Sequence, residues 1–186
     1  MTVLPASRPR LLVTGFGPFP GMPDNPAATL VRSLEAKALS GVTARLIDTE
    51  WAACAAFRDK AVRAKTVLMF GVAGGTHRIR YERMAHPVAS PRPDAAGRLP
   101  DSAPPMSRRS ALPVAALVAM AQRAGFPVVL SHAPGGYICN ASYAAALSGN
   151  ANALFVHIPQ PVGRSNISAA RLEAHALWLI GTLLGR

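Results

Sequence analysis

A cysteine and a histidine that could act together as nucleophile and base stand 18 residues apart in this chain. Cys139 lies in "HAPGGYICNASY" (residues 132–143), where Gly135 and Gly136 precede an alanine-rich run typical of a helix. The free N–H groups in the first turn of a helix favour negative charge and can lower the pKa of a thiol from about 8.5. Cysteine is also among the most buried residue types, so position alone leaves a nucleophile and a core residue equally open.

His157 is the candidate base, because it lies near the end of the apolar run "ALFVHIP", one predicted helix after Cys139. A base must come within about 3 Å of the thiol that it activates, and a purely structural histidine is the alternative. A carboxylate would orient the imidazole and stabilise its charged form. Among the nine acidic residues, Glu82 in "RIRYERMAHP" is the candidate, and a salt bridge with Arg80 or Arg83 is its alternative role.

Strand-like apolar runs alternate with helix-like segments along the whole chain. Asn25 and Pro26 mark a helix start, and Ser168 marks another. The predicted strands cover residues 10–16, 42–49, 66–75, 78–88, 126–131 and 151–159. The predicted helices cover residues 27–39, 53–64, 112–125, 137–147 and 168–184, and a long loop or flap covers residues 89–109.

This alternation predicts one α/β domain over residues 1–186, a three-layer sandwich with a mostly parallel, twisted sheet and helices on both faces. Ligands of such sheets bind beyond the carboxyl ends of the strands. The loops after Phe16, Phe70, Ser131 and Val156 are therefore expected to surround a single site.

Composition excludes several other classes of protein. The formal charge is +11, but 17 of the 20 basic residues are arginines and they are scattered, so no specific nucleic-acid partner is expected. No apolar run reaches the roughly 20 residues of a membrane span, and no export signal is visible. The two cysteines, Cys54 and Cys139, form no disulfide framework, which favours the cytoplasm. Cys54, inside the helix-like "WAACAAF", is predicted to be a core residue, and the other histidines lack metal-ligand spacing.

Four motifs resemble the pyroglutamyl peptidase I family, the pyrrolidone-carboxylate peptidases, in the family's order. The segment "LLVTGFGPFPGMPDNPA" resembles the family's TGF-x-PF-x-G signature with its following Asn-Pro, and "GVAGG…YERMA" resembles G-x-AGG…ER-x-A. The segment "GGYICN" resembles the surroundings of the family's nucleophile, and "FVHIP" resembles F-x-H-[IV]-P. The motifs extend from Leu11 to Pro159.

The resemblance implies a phosphorylase/hydrolase-like fold and a cysteine-type omega peptidase that removes N-terminal pyroglutamate (5-oxoproline) from peptides. It implies no cofactor and no metal, and a homo-oligomer by analogy only. Residue by residue, it implies Cys139 as nucleophile, His157 as general base and acid, and Glu82 as the orienting carboxylate. Arg92, in "SPRPD", becomes a candidate for support of the oxyanion.

The resemblance also implies a substrate pocket. Two phenylalanines would face the flat lactam ring, and an asparagine either lines the pocket or only caps a helix. The two residues that directly precede the nucleophile would form a wall. A valine stands where family members usually have Gln. These residues are Phe16, Phe19, Asn25, Val72, Tyr137 and Ile138.

Departures from the family pattern keep other functions open. Besides Val72, Pro134 replaces a small residue, and segments near residues 48–60 and after Pro159 are short. A catalytically impaired homologue that binds pyroglutamyl peptides or a small ligand is one alternative. A nucleoside phosphorylase-like enzyme is another, which would need a phosphate site.

Overall fold

The apolar runs form strands of one central sheet. The computed structural model describes residues 9–19, 21–160 and 167–185. Its strands are β1 (Leu11–Phe16), β2 (Val42–Ile47), β3 (Thr66–Ala73), β4 (Ile79–Glu82), β5 (Met84–Ala85), β6 (Arg108–Arg109), β7 (Val128–Ser131) and β8 (Ala153–Pro159). Its helices are α1 (Pro26–Ala36), α2 (Trp51–Val62), α3 (Val114–Arg123), α4 (Ile138–Gly149) and α5 (Ala169–Leu184).

The sheet is mostly parallel, as the sequence predicts. Its strand order is β2-β1-β3-β8-β4-β7, and β5 pairs separately with β6. Strands β2, β1, β3 and β8 are parallel, whereas β4 is antiparallel to β8 and parallel to β7. The prediction of one continuous strand over residues 78–88 is wrong. After Glu82, the Arg83 amide donates to the Ser131 carbonyl oxygen at 2.8 Å, and the chain then leaves the six-stranded sheet to form β5.

Helices cover both faces of the sheet, which confirms the predicted three layers. Helices α1, α3 and α5 pack on one face around residues such as Leu68 and Val156, and α2 and α4 pack on the other around Met69 and Phe155. Burying such a side chain contributes about 1.5–3 kcal/mol. Within the described ranges, no helix combines the length and the apolar character of a membrane span.

The predicted caps begin two of the helices. Asn25 Oδ1 accepts from the Ala27 amide at 3.0 Å at the start of α1, with Pro26 in its first turn, and Ser168 Oγ accepts from the Arg171 amide at 3.2 Å before α5. Helix α1 ends at Ala36, three residues earlier than predicted. The reason is local, since Ala38 has a left-handed φ of 46° that a helix cannot accommodate.

The predicted flap is an extended connection attached to α2. Asp94, which is 1% exposed, holds it by accepting from the amides of Ala96 and Arg98 at 2.9 Å through Oδ1. Its Oδ2 accepts from the Trp51 amide at 3.0 Å. One buried carboxylate therefore shapes the turn and joins it to the helix.

Candidate active site

The side chains that could do chemistry share one face of the sheet. Alternate residues of a strand point to the same face, so His157 lies on the side of Phe155, which packs in the core under α2 and α4. In the neighbouring strands, Gly71 pairs with His157 and Glu82 pairs with Phe155. The same face is covered by α4, which carries Cys139 near its first turn. Strand register therefore assembles the three predicted residues.

Glu82 and His157 form a buried pair. Oε1 of Glu82 lies 2.9 Å from Nδ1 of His157, and the two residues are 0% and 4% exposed. Burial alone would raise the pKa of Glu82, but hydrogen bonds from His157 and Ser131 and the nearby Arg80 charge bring it below its usual value. The ionised carboxylate can only accept, so Nδ1 donates to it and Nε2 is left as the basic nitrogen.

Cys139 lies over Gly71, the residue that pairs with His157 in the neighbouring strand. A Cβ atom at Gly71 would come 3.0 Å from Cys139 Sγ and 2.7 Å from the ring of Phe155. Because even a methyl group would clash there, only glycine lets the sulfur approach the sheet this closely. Sγ is thereby placed next to the strand position that pairs with His157.

The connection between β7 and α4 places Cys139 at the edge of the sheet where β3 and β8 end. Strand β7 runs opposite to β8, but the chain turns back through Gly135, whose φ of +84° favours glycine. Helix α4 starts at Ile138, and its N-cap Tyr137 makes no side-chain capping bond. The amides of Asn140 and Ala141 donate to the Tyr137 carbonyl oxygen, so the first-turn N–H groups of Ile138 and Cys139 are those that remain for an anion. All four predicted loops meet at this site, since the connections after Phe16, β3, β7 and β8 line one cavity.

The resting thiol is protonated. Burial, and secondly the Glu82 carboxylate, raise the pKa of Cys139 to about 12. A backbone amide at the helix start does act to lower the pKa, but the loss of hydration outweighs it, so the net shift is upward. The arrangement suits proton transfer from the thiol to a neighbouring base at the moment of reaction.

A cavity of about 450 Å³ adjoins Sγ, and every predicted site residue except the buried Glu82 belongs to its lining. Phe16 is 3% exposed and packs with its ring centre 6.2 Å from that of Phe155, so it forms the floor. Phe19 forms part of the rim. Asn25 supports this loop, since Nδ2 donates to the carbonyl oxygens of Phe16 at 3.0 Å and Gly17 at 2.9 Å.

Tyr137 and Arg92 form the opposite wall. The Arg92 guanidinium lies 4.9 Å from the centre of the Tyr137 ring, which in turn meets Trp51 edge-on at 5.4 Å. The Tyr137 hydroxyl donates to the Pro93 carbonyl oxygen at 2.8 Å and so joins the flap to the wall. Ile138 is buried behind it. The Val72 side chain packs on the core of the opposite face, so its contribution to the cavity comes largely from the backbone.

A second cavity, of about 490 Å³, lies between α2, α4 and residues 100–105. Its lining includes Cys54, whose pKa burial raises to about 12 and whose Sγ donates to the carbonyl oxygens of Glu50 and Ile138. The lining of this larger cavity includes no histidine, whereas that of the smaller one includes both Cys139 and His157, so the smaller cavity is the candidate active site. In the part of the chain that the structure describes, no cluster of three or more His, Cys, Asp or Glu side chains could hold a metal.

Sequence reasoning assigned no role to two further residues of the site. Asn140, fully buried, donates through Nδ2 to the carbonyl oxygens of His86 and Val88 at 2.9 Å and accepts from the His86 amide at 2.8 Å. It therefore fixes the start of the flap to α4. The Tyr143 hydroxyl donates to the Glu82 carbonyl oxygen at 2.9 Å. The position of Asn140 directly after the candidate nucleophile was the available signal.

Known proteins similar to this chain point the same way. A family model described as "Pyroglutamyl peptidase" matches residues 9–160. The chain is 35% identical to the pyrrolidone-carboxylate peptidase of Chromobacterium violaceum over 161 residues, 80% of this chain and 77% of that protein. It is 34% identical to that of Levilactobacillus brevis over 184 residues, 88% of this chain and 90% of that protein.

Solved structures share the fold. The pyrrolidone carboxyl peptidase of Thermococcus litoralis matches with a TM-score of 0.83 at 22% identity, over 94% of this chain and 93% of that one. That of Fervidobacterium islandicum AW-1 matches with a TM-score of 0.80 at 22% identity, over 94% and 98%. These likenesses confirm the predicted α/β architecture. With a family model over most of its length and relatives above 30% identity, the chain belongs to the pyroglutamyl peptidase family of cysteine-type hydrolases.

Proposed function

We propose that this chain removes N-terminal pyroglutamate from peptides, with Cys139 as nucleophile, His157 as base and acid, and Glu82 as the orienting carboxylate. The observation that carries the proposal is the buried contact of 2.9 Å between Glu82 and His157, on the face where Cys139 Sγ lies over Gly71. A carboxylate in that place holds the imidazole in one tautomer, with Nε2 free to take a proton.

The first half-reaction begins with proton transfer from Sγ to Nε2 of His157. The thiolate then attacks the carbonyl carbon of the peptide bond that joins pyroglutamate to the next residue, and the oxygen of that carbonyl gains the negative charge. First-turn amides of α4 and the Arg92 guanidinium are the proposed donors to that oxygen. One such donor contributes about 3–4 kcal/mol of transition-state stabilisation in comparable acyl-transfer sites.

The tetrahedral intermediate collapses when the C–N bond breaks and Nε2–H of the imidazolium protonates the leaving amine. The shortened peptide departs and a thioester joins the acyl group to Sγ. Water, deprotonated by His157, attacks the thioester carbonyl carbon, the C–S bond breaks to release pyroglutamate, and the imidazolium returns the proton to Sγ and restores the thiol. Glu82 remains ionised throughout and stabilises each imidazolium.

The cavity fits the acyl group of such a substrate. A pyroglutamyl ring is flat, small and uncharged, so it requires apolar faces and a few hydrogen bonds rather than an ion pair. Phe16 and Phe19 supply aromatic faces, and the ends of β3 and β8 supply backbone groups beside the nucleophile. Glu82, although close, is fully buried behind His157 and presents no charge to the ring.

Hydrolysis of a fluorogenic pyroglutamyl amide tests the proposal. We expect turnover by the wild type that a thiol-alkylating reagent abolishes, and a loss of at least about 10³-fold in kcat for Cys139→Ala. Cys54→Ala is the matched control and should retain turnover, since its thiol lies outside the cavity. Intact-protein mass spectrometry of quenched reactions should detect one pyroglutamyl group attached to the wild type. Binding of the amide without turnover would instead favour the binding-protein alternative.

A further inference from the structure

We propose that Arg80 is a positioning residue that couples the Glu82–His157 pair to the connection carrying the nucleophile. This inference rests on the proposed function, because it assigns Arg80 a part in the same reaction. Arg80 lies at the register position that pairs with His157, and its side chain is 25% exposed at the wall of the active-site cavity.

One nitrogen of the guanidinium holds three partners. Nη2 lies 3.1 Å from Glu82 Oε1, donates to Ser131 Oγ at 2.7 Å and donates to the carbonyl oxygen of Ala133. Nε adds a second bond to Ser131 Oγ at 3.3 Å. Arginine is always charged and its fork is rigid, so these contacts persist over the working pH range.

The contact with Glu82 restricts the orientation of the carboxylate. Oε1 is shared by Arg80 Nη2 at 3.1 Å and His157 Nδ1 at 2.9 Å. Rotation of the carboxylate away from His157 would therefore also weaken its ion pair with Arg80. Arg80 thus holds the Glu82 carboxylate in the orientation that pairs with His157.

The contacts of Arg80 with Ser131 and Ala133 hold the segment that leads to Cys139. These residues close β7 and open the connection that turns through Gly135 into α4. The Ala133 amide donates in turn to Ser131 Oγ at 3.3 Å. One side chain therefore joins the acid–base pair to the segment that sets the position of Cys139.

The Arg80 charge also opposes formation of the imidazolium. It competes with His157 for Oε1 and places a cation beside the ring that must accept a proton. Among the described residues, the other charged or titratable groups around the pair are Cys139 and Tyr143 from α4 and Arg92 in the same cavity, while the facing positions of β3 and β7 carry Gly71 and Ser131. Removal of the Arg80 charge should therefore strengthen the effect of the Glu82 charge on His157.

Three variants test the inference: Arg80→Met, which keeps length but removes charge and donors; Arg80→Lys, which keeps charge but loses the fork; and Arg83→Met as the neighbouring control. We expect Arg80→Met to lower kcat about 10–100-fold with a smaller change in KM, by analogy with supporting residues in other sites. Its acid limb of kcat/KM should move to higher pH. Arg80→Lys should keep the wild-type acid limb and recover part of kcat, and Arg83→Met should match the wild type.

An NMR titration of the His157 ring separates this inference from the proposed function, because it requires no turnover. The titration midpoint should be higher in Arg80→Met than in the wild type and in Arg80→Lys. A wild type without activity but with this difference contradicts the proposed function and supports the coupling. An unchanged midpoint together with wild-type kcat overturns the role of Arg80. If Arg80→Met does not fold, Arg80→Lys with wild-type kcat overturns it too, since the fork would then be dispensable.

Discussion

Two buried histidines lie on opposite faces of the sheet, and neighbouring residues of β4 provide their partners. His157 is 4% exposed and pairs with the Glu82 carboxylate at 2.9 Å. His175 on α5 is 0% exposed, and its Nε2 lies 2.7 Å from the Tyr81 hydroxyl. Burial lowers the pKa of His175 to about 3, so this ring is neutral wherever the protein is folded near neutral pH. The comparison teaches that burial keeps a histidine neutral when its partner is an uncharged hydroxyl, whereas a carboxylate partner can stabilise the charged ring.

The surroundings of the two rings differ accordingly. Phe126 and Trp178 pack around His175, and within the described residues its Nδ1 has no hydrogen-bond partner. His157 instead borders a cavity and a thiol. A histidine in apolar surroundings with a neutral hydrogen-bond partner has a structural role. A histidine with a carboxylate partner and access to a cavity can act as a base.

The largest expected effect is that of Glu82→Gln, which makes the partner of His157 neutral like that of His175. We expect kcat to fall about 10³–10⁴-fold, because an amide stabilises no imidazolium and allows the wrong tautomer. Steady-state kinetics with the pyroglutamyl amide measures it. A variant that retains kcat while folding normally would contradict the orienting role of Glu82.

Gly71→Ala should have the next largest effect, because the added methyl group would occupy the space between β3 and Cys139 Sγ on the His157 face of the sheet. The added methyl group would meet the Phe155 ring at 2.7 Å and Cys139 Sγ at 3.0 Å. We expect a loss of about 100-fold in kcat from displacement of the sulfur and about 1–3 kcal/mol of unfolding free energy. Gly181→Ala, on α5 and outside the cavity with no atom within 4 Å of its Cβ, is the control and should leave kcat unchanged without a loss of stability.

His175 should make stability depend on acid pH. Its folded pKa of about 3 lies below the unfolded value of about 6.5, so its contribution is complete above pH 6.5 and decreases as the pH falls towards 3. Between pH 7 and pH 5 the loss is about 2 kcal/mol. Urea unfolding at both pH values should show this loss in the wild type and a smaller one in His175→Phe. Equal losses in the two proteins would show that His175 does not carry the effect.

Tyr81→Phe should have the smallest effect and separate the two faces. Removal of the hydroxyl leaves Nε2 of His175 buried without its hydrogen-bond partner, which costs about 1–2 kcal/mol of unfolding free energy. Because the Tyr81 side chain faces away from Glu82, kcat should not change. A parallel loss of kcat would mean that the two faces are coupled through β4.

Much of the fold follows from local patterns. Apolar runs such as "LLVTGF" predict strands β1, β2, β3, β7 and β8, and Asn25 and Ser168 mark helix starts that the structure confirms. The division of residues 78–88 could not be predicted, because it depends on the hydrogen bond between the Arg83 amide and Ser131 across two strands. Motif order likewise identified the family, but no spacing could show which groups of the site touch.

The sequence by itself determined the chemical groups: one cysteine at a helix start, one histidine near the end of a strand and one nearby acid. Whether Glu82 pairs with an arginine or with the histidine stayed open, and the structure answers with both, since Arg80 and His157 share one oxygen. Only tertiary structure decided that Cys139 is a protonated thiol with its pKa raised to about 12. The reason is physical, because hydration and distance between strands depend on packing, and packing joins residues far apart in the chain.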